Sequence, residues 1–335
     1  MKEGENEMKK LLSLALASTM MLAVFAGCGA KEKEEVADGN EAGAGEENSY
    51  VIGYAINSLN DTGQTLGLNG AEDFVATTEH KLVVSDASED VIKQQDNVSA
   101  FIEQGVNALV VVPVDTSAMD PITDMAVEAG IPLVYVNRNP YAGREADMPT
   151  GVYYVGSQEI DAGIFQAEFA GEHLGGKGGV AILQGILGNE GALKRTEGVQ
   201  VTLAEKYPEM VLLAAETGNW QRDQGMAITE NWITKFGDEL NAVLANNDEM
   251  ALGAINALKA AGREDVIVMG VDAIPDARAS VQSGEMIGTV LQDQYGQGAK
   301  GVELAIAHLD GAPGEAVTWI PFELVTKENI ADYID

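Results

Sequence analysis

From Tyr50 onward, short apolar runs alternate with helix-length stretches of mixed polarity. The runs are YVIGYAI, KLVVSD, NALVVVP, IPLVYVN, GVYYVG, GVAILQG, MVLLAAE, NAVLANN, VIVMGVD and MIGTVLQ. Continuous Val, Ile and Leu runs of this length suit strands buried on both faces, the pattern of a parallel sheet covered by helices. Between them apolar side chains fall on one stripe, as with Ala251, Leu252, Ile255 and Leu258. Strict alternation of the two predicts right-handed β-α-β units and a doubly wound α/β fold. The runs are too many for one such sheet, and the alternation divides near Gly156-Ser157. Two α/β lobes of similar build are therefore expected, without a close sequence repeat. The glycines of GGKGG at 175–179 precede a strand, whereas phosphate-binding glycines follow one, so this stretch is read as a turn.

In open parallel sheets ligands bind beyond the carboxyl ends of the strands. Polar residues cluster at those ends here: Asn57-Ser58-Leu59-Asn60-Asp61, Asn137-Arg138-Asn139, Asn246-Asn247-Asp248, Asp272 and Gln292-Asp293-Gln294. Any one cluster could be a helix cap. Their recurrence in both lobes points to a shared ligand. Asp, Asn, Gln and Arg offer planar paired groups, which match hydroxyls that both donate and accept, so the set suits a polyhydroxylated small molecule. Trp220, in TGNWQRDQG, sits beyond another run, as a stacking platform for a sugar's C–H face or as a residue buried against a helix. Within LANNDEMALGAINALKAAG, Asp248 is read as the helix N-cap, Asn246 as support for the turn, and Asn247 stands at the strand end between them.

Composition narrows the field. The 335 residues carry a formal charge of −33, which repels a phosphate backbone, so no nucleic-acid partner is expected. There is no G-x-S-x-G elbow, and His80, His173 and His308 are read as structural or solvated, so no catalytic residue is assigned. No metal spacing appears and no cofactor is expected. Asp61, Asp248 and Asp272 leave a paired-carboxylate glycosidase formally open, without positive support.

Lys9 and Lys10 precede an apolar stretch from Leu11 to Ala26 that leads into Gly27-Cys28, the layout of a secretory signal. It is too short for a permanent span. Met8 offers an alternative start. Cys28 is the sole cysteine, and Phe25-Ala26-Gly27 before it resembles the lipobox of bacterial lipoproteins. Residues 1–27 are thus read as a signal peptide, with 28–49 as a lipidated cysteine and a disordered acidic tether. This places the folded part outside the cell membrane, anchored to its outer face.

The stretches ANNDEMALGAINALKAAG, GVDAIPDA, SGEMIGTVLQD, VYYVGSQ and VNRNP, in their order, carry a further likeness. From about Tyr50 to Glu303 the chain resembles the periplasmic sugar-binding proteins of bacterial ABC transporters, of the ribose- and galactose-binding type. That resemblance implies the type I architecture, two lobes joined by three crossings near Gly156, Leu291 and Thr318. The lobes would be 50–156 plus 292–318 and 157–291 plus 319–335. It also implies ligand contacts from Asp61, Asn137 and Arg138 in the first lobe, from Arg195, Trp220, Asn247 and Asp272 in the second, and from Gln292 at a crossing. Asn189 stands where the galactose type has a histidine, and the calcium loop is missing. Gly63-Gln64 stands where the family usually has phenylalanine, which implies a one-sided aromatic sandwich.

The function implied is a monomeric, non-enzymatic receptor that closes on a monosaccharide or related polyol and delivers it to the permease and ATPase subunits of an importer. The alternative is a receptor reporting to a chemoreceptor or sensor kinase. A sugar-responsive repressor shares the fold but needs a DNA-binding N-terminus.

Overall fold

The computed structural model describes residues 49–334, so the leader, Cys28 and nearly all of the acidic segment lie outside the described residues. Each of the apolar runs forms a strand. In the first half these are β1 (Val51–Ile56), β2 (Lys81–Asp86), β3 (Ala108–Val111), β4 (Leu133–Val136) and β5 (Val152–Gly156). In the second they are β6 (Lys177–Gln184), β7 (Glu209–Thr217), β8 (Leu240–Ala245), β9 (Ile267–Val271) and β10 (Gly288–Leu291). Two short strands that no apolar run announces, β11 (Val317–Trp319) and β12 (Glu323–Thr326), complete the two sheets.

The orders are β2-β1-β3-β4-β5-β11 and β7-β6-β8-β9-β10-β12. Both follow one doubly wound scheme, whose direction reverses between the first and third strands of each half. All pairings are parallel except β12, which runs antiparallel to β10. An edge strand has one neighbour and can enter from either end, so the late return of the chain breaks the all-parallel expectation only there. β2 and β7 lie at edges too, and are correspondingly more exposed than fully buried strands.

Helices α1 (Thr62–Ala76), α2 (Val91–Glu103), α3 (Asp120–Ala129) and α9 (Gln294–Leu309) cover the first sheet. Helices α4 (Glu159–His173), α5 (Glu190–Lys206), α6 (Arg222–Phe236), α7 (Asp248–Ala260) and α8 (Pro275–Ser283) cover the second. The chain thus passes between sheets three times: from β5 to α4, from β10 to α9, and from β11 to β12. The first and third crossings lie side by side, with Ile320 N donating to the Gly156 carbonyl at 2.8 Å. At 175–179 the turn is shorter than expected: Gly175 and Gly176 take positive φ, while Lys177 already starts β6.

Three helix pairs pack closely enough that only glycine fits at their contacts. Between α1 and α9, a Cβ on Gly70 would lie 2.0 Å from the Tyr295 carbonyl, and one on Gly298 1.8 Å from that of Gly67. Between α4 and α5, Gly163 and Gly198 meet the carbonyls of Arg195 and Ile160 at 2.0 and 2.3 Å. Between α6 and α7, Gly225 and Gly253 meet those of Met250 and Arg222 at 2.6 and 2.0 Å. Each of these helices begins within six residues of the carboxyl end of a strand, so the pairing sets where those ends converge. The obstacles are backbone atoms and cannot turn aside. Gly298→Ala should therefore destabilise the fold by about 2 kcal/mol or more through overpacking, read as a lowered urea midpoint at unchanged slope.

Candidate ligand-binding site

At the carboxyl ends of both sheets, Asp61, Gln64, Asn137, Arg138, Glu159, Asn189, Gly191, Arg195, Trp220, Asn247, Asp272, Gln292 and Gln294 line one cavity. All of the ligand residues expected from the sequence are in it. The side chains stand close across it, leaving ≈ 20 Å³ for the centre of a water-sized sphere.

Three of those residues hold an uncommon backbone. Asn137, Trp220 and Asp272 have φ of +68°, +66° and +115°. Residues other than glycine seldom adopt these values, and such strain persists where the surroundings over-determine it. Here they do: the Tyr154 hydroxyl donates to the Asn137 carbonyl, Asn247 Nδ2 to that of Trp220, and Asp272 N to that of Val290.

In the first lobe Asp61 caps α1, accepting from Gln64 N at 3.2 Å. Its other oxygen takes Arg138 Nη2 at 3.3 Å. Arg138 is buried and reaches the carbonyls of Pro113 and Val114 with Nη1. Asn137 accepts from Gln64 Nε2 at 2.9 Å.

In the second lobe Arg195 is the centre. Its Nε donates to Glu159 Oε2 at 2.6 Å, Nη1 to the Asn246 carbonyl at 2.6 Å and Nη2 to Gln292 Oε1 at 3.0 Å. Asp272 Oδ1 lies 3.8 Å from it. The Trp220 and Phe322 rings each lie 5.8 Å from the guanidinium carbon. Burial pushes the Asp272 carboxyl well up, with Arg195 opposing. The Glu190 carboxyl is pushed up to about 8 by burial, with Glu159 adding to the shift.

Asn189 caps α5 through Gly191 N at 3.0 Å, and its Nδ2 is buried with no hydrogen-bond partner. The indole of Trp220 rests on Gly185, where a Cβ would come within 2.0 Å of the ring, and its Nε1 is likewise buried and unpartnered. It is the only aromatic residue among those lining the cavity.

The reading of Asn246-Asn247-Asp248 needs correction. Asn247, not Asp248, is the N-cap of α7, accepting from Met250 N at 3.1 Å. The ladder contacts run on to Asn246, whose N still bonds the Leu183 carbonyl, and the next residue, Asn247, takes the cap. Asp248 opens the helix and turns into the lobe, accepting from Thr289 Oγ1 at 2.6 Å and Ile274 N at 2.9 Å. It does not line the cavity, which leaves no role for it in a catalytic carboxylate pair. Asn246 does support the turn, its Oδ1 accepting from Gly185 N.

Gln64, Glu159 and Gln294 also line the cavity and were not singled out from sequence. Gln294 lay in a polar strand end already noted, and Gln64 in the place of the family phenylalanine. Glu159 follows the first crossing directly, where only its place in the chain could have signalled it.

The family model described as a periplasmic binding protein domain matches residues 52–313. The "Putative rhizopine-binding protein" of Rhizobium meliloti is 41% identical, over 84% of this chain and 92% of that one. The xylitol-binding protein of Mycolicibacterium smegmatis is 34% identical, over 97% and 88%. Among solved structures, an ABC transporter solute binding protein from Bacillus halodurans C-125 with bound myo-inositol is 37% identical. It superposes with a TM-score of 0.78 over 86% of this chain and 98% of that one. The chain belongs to the periplasmic binding protein family, as a type I periplasmic sugar-binding protein, and is a binding protein and not an enzyme.

Proposed function

We propose that this chain captures a cyclic polyol or monosaccharide between its lobes, outside the cytoplasmic membrane, and delivers it to the permease of an ABC importer. In this reading Cys28 carries a lipid anchor and residues 29–49 form the tether. The lobes are 50–156 plus 292–318 and 157–291 plus 319–335. The nine ligand contacts are those expected from the sequence, joined by Gln64, Glu159 and Gln294.

One observation supports this most directly. The cavity is walled by planar amides, carboxylates and guanidinium groups from both lobes, and several of their buried polar atoms have no protein partner: Asn189 Nδ2, Trp220 Nε1 and Gln294 Oε1. Buried polar atoms are normally satisfied, so these await hydrogen-bonding groups from outside the chain. Hydroxyls around a small ring supply donors and acceptors in all directions. With one aromatic side chain against a dozen other residues, the wall suits a ring that is hydroxylated all round, and inositols lead the class. Myo-inositol, bound in one of the solved relatives, is such a ring, and xylitol, named for another relative, is a polyol without the ring.

Closure would follow from differential contact. A ligand touching both lobes must bind the closed form better by roughly 5 kcal/mol to turn a mostly open population into a mostly closed one.

A thermal-shift panel of myo-inositol, xylitol, ribose and galactose tests the class, since a ligand that binds the folded state raises the melting temperature. Myo-inositol should give the largest rise and be recovered unchanged after calorimetric titration. No shift with any of the four would sink the reading. Trp220→Ala and Asp272→Ala should each weaken myo-inositol binding at least about tenfold, the scale of one lost stacking or charge-assisted contact. Unchanged affinity in both, by titration calorimetry, would mean that the cavity is assigned wrongly.

A further inference from the structure

A chain of side chains runs from the cavity to the third crossing. Gln64 Nε2 donates to Asn137 Oδ1 at 2.9 Å, and Asn137 Nδ2 to Gln297 Oε1 at 2.9 Å. Gln297 Nε2 donates to Ser157 Oγ at 3.0 Å, and the Ser157 hydroxyl to the Ile320 carbonyl at 2.6 Å. Gln297 is fully buried, and Gln64, Asn137 and Ser157 nearly so. The two ends of an amide have the same shape, so its orientation follows from what its neighbours are able to do.

Here the neighbours leave no choice. The Ile320 carbonyl can only accept, so the single Ser157 proton goes there. Ser157 Oγ must then accept from Gln297, whose oxygen must accept from Asn137, whose oxygen must accept from Gln64. The orientation of Gln64 is thereby fixed, with one Nε2 proton on Asn137 and the oxygen at the other end of the amide, in a residue that lines the cavity. Gln294 arrives at the same state by another route. Arg195 holds Gln292 Oε1 as an acceptor, Gln294 Nε2 faces that atom and Asp272 Oδ1, and Gln294 Oε1 is left buried without a partner. On the opposite wall the backbone N–H of Gly191 holds Asn189 Oδ1, so its Nδ2 faces outward as a donor.

We infer that these anchored chains fix the hydrogen-bond polarity of the cavity, with acceptor oxygens at Gln64 and Gln294 and a donor at Asn189. Gln297 and Ser157, which do not line the cavity, are positioning residues for this pattern. A ligand group that meets the two glutamines must bring a proton, as a hydroxyl or an ammonium does. An ether, a carboxylate or a phosphate ester set against these two oxygens meets oxygen with oxygen and is disfavoured there. The group that meets Asn189 must accept. Only the choice of a polyol as the ligand rests on the function proposed above; the polarity does not.

The test needs no ligand. In Gln64→Glu an ionised carboxylate faces Asn137 Oδ1, and the chain cannot reverse while Ile320 anchors it. The introduced carboxyl therefore holds a proton in the folded state more tightly than in the unfolded chain. A group whose pKa is raised by folding stabilises at low pH and loses that contribution as pH rises through its folded value. Relative to wild type, the melting temperature of Gln64→Glu should fall increasingly between about pH 5 and pH 9.

Ser157→Ala removes the anchor, so Asn137 is free to turn its Nδ2 toward the carboxylate. In the double variant, referred to Ser157→Ala alone, the pH-dependent loss should shrink by at least half. Asp61, Glu159, Asp272, Arg138 and Arg195, the charged groups that line the cavity, and Glu190 beside Glu159 and Arg195 are the same in both backgrounds, so their titration does not produce the difference. A wild-type slope in the single variant overturns the inference, as does a loss that shrinks by less than half in the double. A chain that binds no polyol would leave this measurement fully readable.

Discussion

A guanidinium taken out of water must find its partners inside, and Arg195 is the group on which the cavity is organised. An unpaired buried charge is costly enough to unfold a lobe, so its partners have to arrive together. They come from separate parts of the chain: Glu159 just after the first crossing, Gln292 at the second, and the Asn246 carbonyl at the end of β8. Two aromatic rings flank the guanidinium and limit its contact with water. Arg195 thus ties two crossings to the floor of the second lobe. The first lobe repeats the device on a smaller scale, with Arg138 between Asp61 and two backbone carbonyls.

That arrangement requires close backbones. The glycine contacts between paired helices let their axes approach, and helix starts then crowd the strand ends, where the residues that cap also line the cavity. Asp61, Asn189 and Asn247 each cap a helix with one oxygen while standing in the cavity wall. An amide in this position caps with its oxygen and keeps its nitrogen for another partner. The positive φ values of Asn137, Trp220 and Asp272 belong to the same economy of space: the chain turns sharply at a strand end to bring a side chain inward.

Much of this was legible in the sequence. Apolar runs and their spacing located every long strand, and the rule that ligands sit beyond carboxyl strand ends pointed to seven of the nine expected wall residues, whereas Asn189 and Arg195 came only from the family resemblance. Legibility failed where a residue's partner is distant in the chain. Nothing local says that Asp248 will be claimed by Thr289, so it looked like a cap, and the cap passed to Asn247. Glu159 shows no pattern of its own, because its meaning comes from Arg195 and Gln292. β11 and β12 carry too few apolar residues to announce themselves and exist because a sheet edge was available. The glutamines carry a similar lesson, since which end of an amide faces inward depends on a carbonyl far along the chain.

The third crossing has a mechanical consequence. β11 is stitched to β5 up to Trp319, and β12 is stitched to β10 from Glu323, which leaves only residues 320–322 between two ladders. Of these, Ile320 is already bonded from both sides to the first crossing. At roughly 3.3 Å per extended residue, so short a link cannot pay out slack. The two sheets are therefore held together at this edge by a seam with no spare length, fastened on both of its sides.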